Sequence, residues 1–106
     1  MRTVRETSVD LEVDVGPNDV VELTGEFDLA GVEAFRAAAH VALHGQREVI
    51  IDMTRLRFVD SSGIRAILDL ATAAPDTGIV LRAPQPNVRK VISLTGIEGH
   101  AGIRIE

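Results

Sequence analysis

The stretch that decides the fold is Val49-Ile50-Ile51-Asp52-Met53-Thr54-Arg55-Leu56-Arg57-Phe58-Val59-Asp60-Ser61-Ser62-Gly63-Ile64-Arg65-Ala66-Ile67-Leu68-Asp69-Leu70. Its first three residues form an apolar run, which is typical of a strand buried on both faces in a parallel sheet. From Ile64 onward, apolar residues recur at helical spacing. The segment 60–63 opens this helix, where backbone N–H groups lack partners within the helix and the helix dipole is positive. A serine there can present a hydroxyl in one state and a phosphate in another.

Two strands are predicted upstream of this stretch. Apolar and acidic residues alternate over residues 9–15, which indicates a strand with one wet face. Residues 16–19, Gly-Pro-Asn-Asp, predict a turn, and residues 20–24 predict a second strand that pairs back as a hairpin. Residues 25–28 are expected to form a loop.

Helices and strands then alternate. Helical spacing predicts a helix over residues 30–44, stopped by Gly45. A third strand over 48–53 is followed by a loop and the helix that begins at the serines. A fourth strand over 79–81, a short third helix stopped by Gly96 and an edge strand over 102–105 complete the chain.

The predicted order is ββαβαβαβ, in which strands alternate with helices. This order calls for an α/β fold with a mixed, mostly parallel, five-stranded sheet and three main helices. With 106 residues and no internal repeat or linker, residues 1–106 are expected to form a single domain.

Composition excludes several classes of function. The net charge is −5, from 16 acidic and 11 basic residues, and aromatic residues make up only 3%. No basic run or stacking platform is available, which argues against a nucleic-acid partner. The chain has no cysteine, and no apolar run reaches the roughly 18 residues of a membrane span. A cytoplasmic protein without membrane insertion is expected.

The segment Asp60-Ser61-Ser62-Gly63 has a plain structural interpretation. Asp and Ser are the commonest residues at helix N-caps, where each stabilises by about 1 kcal/mol. Taken alone, this segment therefore indicates a helix cap more strongly than a regulated serine.

Three motifs together resemble the STAS-domain anti-sigma factor antagonists. The segment from Ile51 to Ile64 resembles the family signature, which ends in D-S-S-G-(I/L). Gly25-Glu26-Phe27-Asp28 resembles the family's G-E-x-D loop, and Leu94-Thr95-Gly96-Ile97 resembles its L-T-G-(I/L) segment. The motifs occur in the family's order and extend over most of the chain.

The resemblance implies a bacterial regulator of transcription that is not itself an enzyme. Such an antagonist binds an anti-sigma factor that is also a serine kinase of the histidine-kinase-like ATPase type, and thereby releases a sigma factor. The kinase phosphorylates the second serine of the motif, here Ser62, and a PP2C-type phosphatase reverses the modification. No cofactor is expected on this chain, because ATP binds to the partner.

The same resemblance assigns the neighbouring residues. Ser61 is expected to be structural, Asp60 to help shape the turn, and Asp28 to lie near Ser62 at the same end of the sheet. Together with Gly63 and Arg65, these residues are expected beside the phosphorylation site and in contact with the partner. Arg65 follows Ser62 by three residues and can share its helix face. It can contact a partner or a phosphate, or it can be a solvated surface residue.

More distant basic residues have the same two interpretations. Arg55 and Arg57 are expected in the loop leading to the serines. Arg89 and Lys90 open the third helix as a solvated pair or as contacts at the rim of an interface.

Two other classes of function remain as alternatives. Single STAS-like domains also occur as accessory subunits of lipid-transport ATPase complexes and of stress-signalling assemblies, where the serine need not be phosphorylated. A serine hydrolase would need a histidine after the nucleophile, and only His100 follows Ser62. His40 and His44 have a spacing that can hold a metal, but no third ligand is evident, so no metal site is predicted.

Overall fold

The structure is a computed structural model that describes residues 4–43 and 47–106. It contains six strands, three α-helices and two short 3-10 helices, Leu29–Gly31 and His100–Gly102. In chain order the main elements are β1 (Val4–Thr7), β2 (Leu11–Val15), β3 (Val21–Phe27), α1 (Val32–Ala42), β4 (Glu48–Val59), α2 (Ser61–Ala73), β5 (Gly78–Arg82), α3 (Pro86–Thr95) and β6 (Ile103–Ile105).

All six strands form one sheet in the order β1-β2-β3-β4-β5-β6. The pairs β1–β2 and β2–β3 are antiparallel, and the three remaining pairs are parallel. The predicted α/β class, the mostly parallel sheet and the three helices are confirmed, with six strands in place of five. The sixth strand, β1, was not predicted, because its sequence, VRET, has a single apolar residue and its side chains are at most half-buried.

One face of the sheet packs against the helices. Inward residues of the strands and buried residues of all three helices belong to one hydrophobic cluster. Phe27 of β3 and Phe35 of α1 pack within it, with ring centroids 5.0 Å apart. The opposite face has cross-strand ion pairs, among them Arg5–Asp14 at 2.7 Å and Arg104–Glu48 at 2.8 Å. The site described below lies at the end of this sheet.

The strand β4 is unusually long and contains two bulges. Its register with β3 shifts between Glu22 and Thr24 and again between Gly25 and Glu26, and each shift inserts one extra residue into β4. After Met53 the buried positions are therefore Leu56 and Val59, three residues apart rather than two. With these bulges the strand continues to residue 59, and the side chains of Leu56 and Val59 both face the helices.

Side chains stabilise both bulges. The Asp52 carboxylate accepts hydrogen bonds from the Thr54 backbone N–H at 2.9 Å and from the Thr54 hydroxyl at 2.6 Å. Beyond the end of β5, Gln85 donates to the Thr54 carbonyl at 2.9 Å, and Asn87 donates to the Arg57 carbonyl at 2.7 Å. Side chains at the start of α3 thus supply hydrogen bonds to backbone carbonyls of β4 where no strand pairs with that edge.

Several predicted boundaries are wrong. Residues 25–27 belong to β3 and residues 54–59 to β4, so both predicted loops are strand, and Arg55 and Arg57 lie on β4. The first predicted strand begins at Leu11, because Val9 lies in the β1–β2 connection. Helix α1 begins at Val32, after a 3-10 turn. The predicted stop at Gly45 lies outside the described residues.

The third helix ends as predicted. Gly96 follows it with φ +71°, a left-handed conformation that glycine adopts without strain. Among residues 4–43 and 47–106, none of the helices has the length and apolar character needed to cross a membrane.

We expect Asp52 to make the stability of the fold depend on pH. Burial alone would raise the pKa of this carboxyl, but hydrogen bonds from Thr54 and Arg82, the latter at 2.9 Å, together lower it below its ordinary value. A lowered folded-state pKa gives stability that is present above about pH 4 and is lost as the pH falls through the folded pKa. In thermal unfolding, Asp52→Asn should destabilise by about 1 kcal/mol at pH 7.

This difference from wild type should shrink as the pH falls through the lowered pKa of Asp52 in the folded protein. Asp76→Asn is the control, because Asp76 is exposed and forms no ion pair among the described residues. A destabilisation by Asp52→Asn that does not shrink anywhere between pH 7 and the acid unfolding of the wild type would contradict this role of the carboxylate.

Candidate functional site

The site lies where the carboxyl ends of β3 and β4 meet. Phe27 pairs with Val59 at the end of the ladder, and the next residue, Asp60, donates its backbone N–H to the Phe27 carbonyl at 3.2 Å. Asp28 follows β3, and Asp60 follows β4. The structure therefore places both aspartates at the same end of the sheet, immediately before a helical segment.

Both aspartates act as N-caps. Asp28 accepts a hydrogen bond from the Ala30 N–H at 3.1 Å and begins the 3-10 turn. Asp60 has an extended backbone and accepts from the N–H groups of Ser62 at 2.8 Å and Gly63 at 3.2 Å. These two N–H groups have no partner within the helix, but they are not free, because the Asp60 carboxylate binds both.

Gly63 is required by close packing at this junction. A Cβ atom at this position would lie 2.7 Å from Val59 Cγ2 and 2.9 Å from both Cγ and the carbonyl oxygen of Phe27. Atoms cannot approach so closely without displacement. The absence of a side chain at Gly63 lets the first turn of α2 lie directly on the ends of β3 and β4.

The two serines border an open groove between α1 and α2. Ser61 is exposed and Ser62 is half-buried. The groove has a volume of about 390 Å³ and is lined by Leu29, Val32, Arg36, Ser61, Ser62, Arg65, Ala66 and Asp69. Both serines therefore contact a space that another protein can enter.

Arg65 lines this groove but has a partner on its own helix. Its Nε lies 3.1 Å from the Asp69 carboxylate, and both side chains are more than half exposed. Arg36 of α1 lines the same groove and lies 3.6 Å from Glu33. Surface ion pairs of this kind contribute little to stability, so both guanidinium groups can exchange partners at low cost.

The other basic residues lie away from the groove. Arg57 is on β4, 3.8 Å from Glu26, and Arg55 borders a separate shallow depression beside Thr24 and Asp52. Arg89 and Lys90 are exposed on α3. Sequence reasoning missed Leu29, Val32 and Arg36, which come from a distant part of the chain and follow no motif.

His100 lies at the opposite end of the sheet from the serines. It precedes β6, whose first residue pairs with Ile79 near the start of β5, and Gly102 approaches Gly78. The 12-residue strand β4 separates this end from Ser62, which corresponds to on the order of 30 Å. Ser62 and His100 are therefore too far apart to act together as the nucleophile and base of a serine hydrolase.

The histidine pair on the first helix can be described only in part. His40 is exposed on α1, and His44 lies outside the described residues. Within residues 4–43 and 47–106, no three His, Asp or Glu side chains are grouped in a way that could hold a metal ion.

Comparison with known proteins identifies relatives over nearly the whole chain. Residues 11–105 match the family model described as "Mlab, STAS domain". No curated protein sequence matches the chain.

Solved structures with the same fold include regulators of sigma factors. The anti-sigma factor antagonist SpoIIAA in its unphosphorylated form is 27% identical, with a TM-score of 0.64 over 91% of this chain and 87% of that one. The Bacillus cell fate determinant SpoIIAA in the phosphorylated form is 25% identical, with a TM-score of 0.59 over 91% of this chain and 90% of that one. An anti-sigma factor antagonist from Mycobacterium paratuberculosis is 22% identical, with a TM-score of 0.70 over 97% of this chain and 84% of that one.

Replacement of Gly63 by alanine tests the packing at the site. We expect Gly63→Ala to lower the free energy of unfolding by about 1–3 kcal/mol, because the added methyl group overlaps Val59 and Phe27. Helix propensity alone would give the opposite sign, since alanine is the better helix former. Urea denaturation measures the change.

Gly16→Ala is the matched control, since a Cβ at Gly16 has no neighbour within 4 Å. It should change the free energy of unfolding by less than about 0.5 kcal/mol, as most surface substitutions do. A Gly63→Ala variant as stable as the wild type would show that α2 does not need this close approach.

Proposed function

The chain belongs to the STAS-domain family, whose model matches residues 11–105, and from this premise we propose that it is an anti-sigma factor antagonist switched off by phosphorylation of Ser62. The unmodified protein binds an anti-sigma factor that is also a serine kinase of the histidine-kinase-like ATPase type. Binding releases a sigma factor. A PP2C-type phosphatase regenerates the unmodified form. The protein acts as a regulatory binding protein and not as an enzyme.

The observation that supports this proposal most is the position of Ser62. Its side chain is half-buried at the first turn of α2 and borders a groove that a partner can enter. SpoIIAA, which has the same fold and 25–27% identity, has been solved in both unphosphorylated and phosphorylated forms. A fold that exists in both states in a relative supports a modification that leaves this domain folded.

The choice between the two serines rests on the resemblance of the motif. Its second serine corresponds to Ser62. The N–H of Ser62 is hydrogen-bonded to Asp60 at 2.8 Å, which fixes the backbone from which the hydroxyl projects. A fixed backbone suits phosphoryl transfer, because the acceptor oxygen must lie in line with the leaving group.

A phosphate on Ser62 acts through occupancy of the groove. It adds roughly −1.5 to −2 charges. Because Asp60 already accepts from the N–H groups of Ser62 and Gly63, the phosphate gains little from the helix N-terminus and remains beside a carboxylate. It then occupies space that the partner needs, and it faces the terminal phosphate of the ADP left on the kinase. Both effects favour dissociation.

Within a cell, we place this switch in the cytoplasm, where the anti-sigma factor and ATP are found.

A second candidate function is that of an accessory STAS subunit in a lipid-transport ATPase complex or a stress-signalling assembly. This second function is compatible with the family model, because its description, "Mlab, STAS domain", does not specify an antagonist. In that case Ser62 contacts an ATPase or scaffold without being modified. The two functions differ in whether a kinase labels the serine.

Phosphorylation mapping tests the proposal. Incubation with the cognate kinase and ATP should add one phosphate, located on Ser62 by mass spectrometry. Ser61→Ala should still be labelled, and Ser62→Ala should not. Labelling that is lost in Ser61→Ala but retained in Ser62→Ala would reverse the assignment. Absence of label from the wild-type protein would favour the accessory subunit.

A further inference from the structure

Large apolar side chains are exposed mainly at one end of the molecule. In the ranges 4–43 and 47–106, four such residues are exposed: Val9 at 89%, Leu94 at 78%, Leu29 at 74% and Phe58 at 45%. Leu29 lines the groove beside Ser62, and Phe58 precedes the end of β4. Scattered exposed apolar residues need no explanation, but a cluster of them marks an interaction site.

Val9 lies at the same end. The β1–β2 connection, residues 8–10, is beside the end of β3, because Leu11 pairs with Gly25 and the Asp10 carbonyl accepts from the Glu26 N–H at 2.8 Å. The 3-10 turn that contains Leu29 is also close to it, since a Cβ at Gly31 would lie 2.8 Å from Leu11. Val9 thus lies between β1 and β2, Leu29 lies just after β3, and Phe58 is the residue before the last of β4, all at the same end of the sheet.

Leu94 lies elsewhere. It is in the last turn of α3, which begins beside the carboxyl-terminal half of β4 and runs toward the start of β6. It is therefore far from the serines, and it provides a natural control.

Negative charge accompanies these exposed apolar residues. Three acids at this end of the sheet are neutralised by arginines, in the pairs Glu26–Arg57, Glu33–Arg36 and Asp69–Arg65. Three others, Asp10, Asp28 and Asp60, form no ion pair within the part of the chain that the structure describes. The surface therefore combines apolar contacts with an excess of negative charge, which is complementary to an apolar patch ringed by Lys or Arg.

We propose that the docking surface for the kinase extends from the groove at Ser62 across the end of the sheet to the β1–β2 connection, and that it binds an apolar patch ringed by basic residues. This inference rests on the proposed function. Val9 in the β1–β2 connection and Leu29 in the turn capped by Asp28 provide the apolar contacts. Asp10 attracts the basic residues of the partner over a distance. Its side chain forms no hydrogen bond or ion pair among the described contacts, so it has no evident structural role.

Paired substitutions test this surface. The probe is the kinase that phosphorylates Ser62, with ADP in its nucleotide site so that no transfer occurs, and the readout is the Kd from titration calorimetry. The double variant Val9→Ser/Leu29→Ser should raise the Kd at least about tenfold, since each side chain loses part of its apolar burial. Leu94→Ser, equally apolar and exposed, should leave the Kd within about twofold.

A second pair tests the charge. Asp10→Asn should lower the association rate constant severalfold at low salt, and less at high salt, because steering by exposed charges is screened. Glu98→Gln, an exposed acid near the opposite end of the sheet, is the control and should not change this rate.

The outcomes separate this inference from the function on which it rests. If wild-type protein binds the kinase and is phosphorylated on Ser62, but the double variant binds equally well or Leu94→Ser loses as much, the extended surface is wrong and the function stands. If wild-type protein neither binds nor is labelled, both are overturned. Unfolding curves of the variants, which should match those of the wild type because these side chains are exposed, show that any loss is not due to misfolding.

Discussion

The packing of Gly63 against Phe27 and Val59 is the constraint on which the rest of the site depends. It brings the first turn of α2 into contact with the paired ends of β3 and β4, at distances that no side chain would allow. Asp60 then closes the turn with three hydrogen bonds: its backbone N–H donates to the Phe27 carbonyl, and its carboxylate accepts from the backbone N–H groups of Ser62 and Gly63. With strand end, cap and helix fixed together, the serines have one backbone position. A partner or a kinase therefore meets a preformed surface.

The bulges of β4 determine where this junction lies. Without the two extra residues, the strand would present its buried side chains every second residue, and Leu56 and Val59 would not both face the helices. Asp52, Gln85 and Asn87 stabilise these irregularities through hydrogen bonds to Thr54 and Arg57. The polar network on β4 and the start of α3 thus help to position a serine that they do not touch.

Sequence reasoning succeeded where one physical signal dominates. The apolar triplet 49–51 and the helical spacing after Ile64 predict the central strand and α2, and the N-cap role of Asp60 follows from its residue type. It failed at residues 54–58, where bulges break the alternation and the stabilising partners, Gln85 and Asn87, lie about 30 residues away. The groove residues Leu29, Val32 and Arg36 could not be predicted, because only the packing of α1 against α2 brings them to the serines.

The central claim is that modification acts on binding and leaves the fold unchanged. The most direct measurement compares protein phosphorylated on Ser62 with unmodified protein, both in affinity for the kinase and in free energy of unfolding. We expect the phosphorylated form to bind the kinase with a Kd at least about tenfold weaker, equivalent to about 1.4 kcal/mol, and its free energy of unfolding to change by less than about 1 kcal/mol. Equal affinity of the two forms, or a phosphorylated form that loses most of its stability, would contradict it.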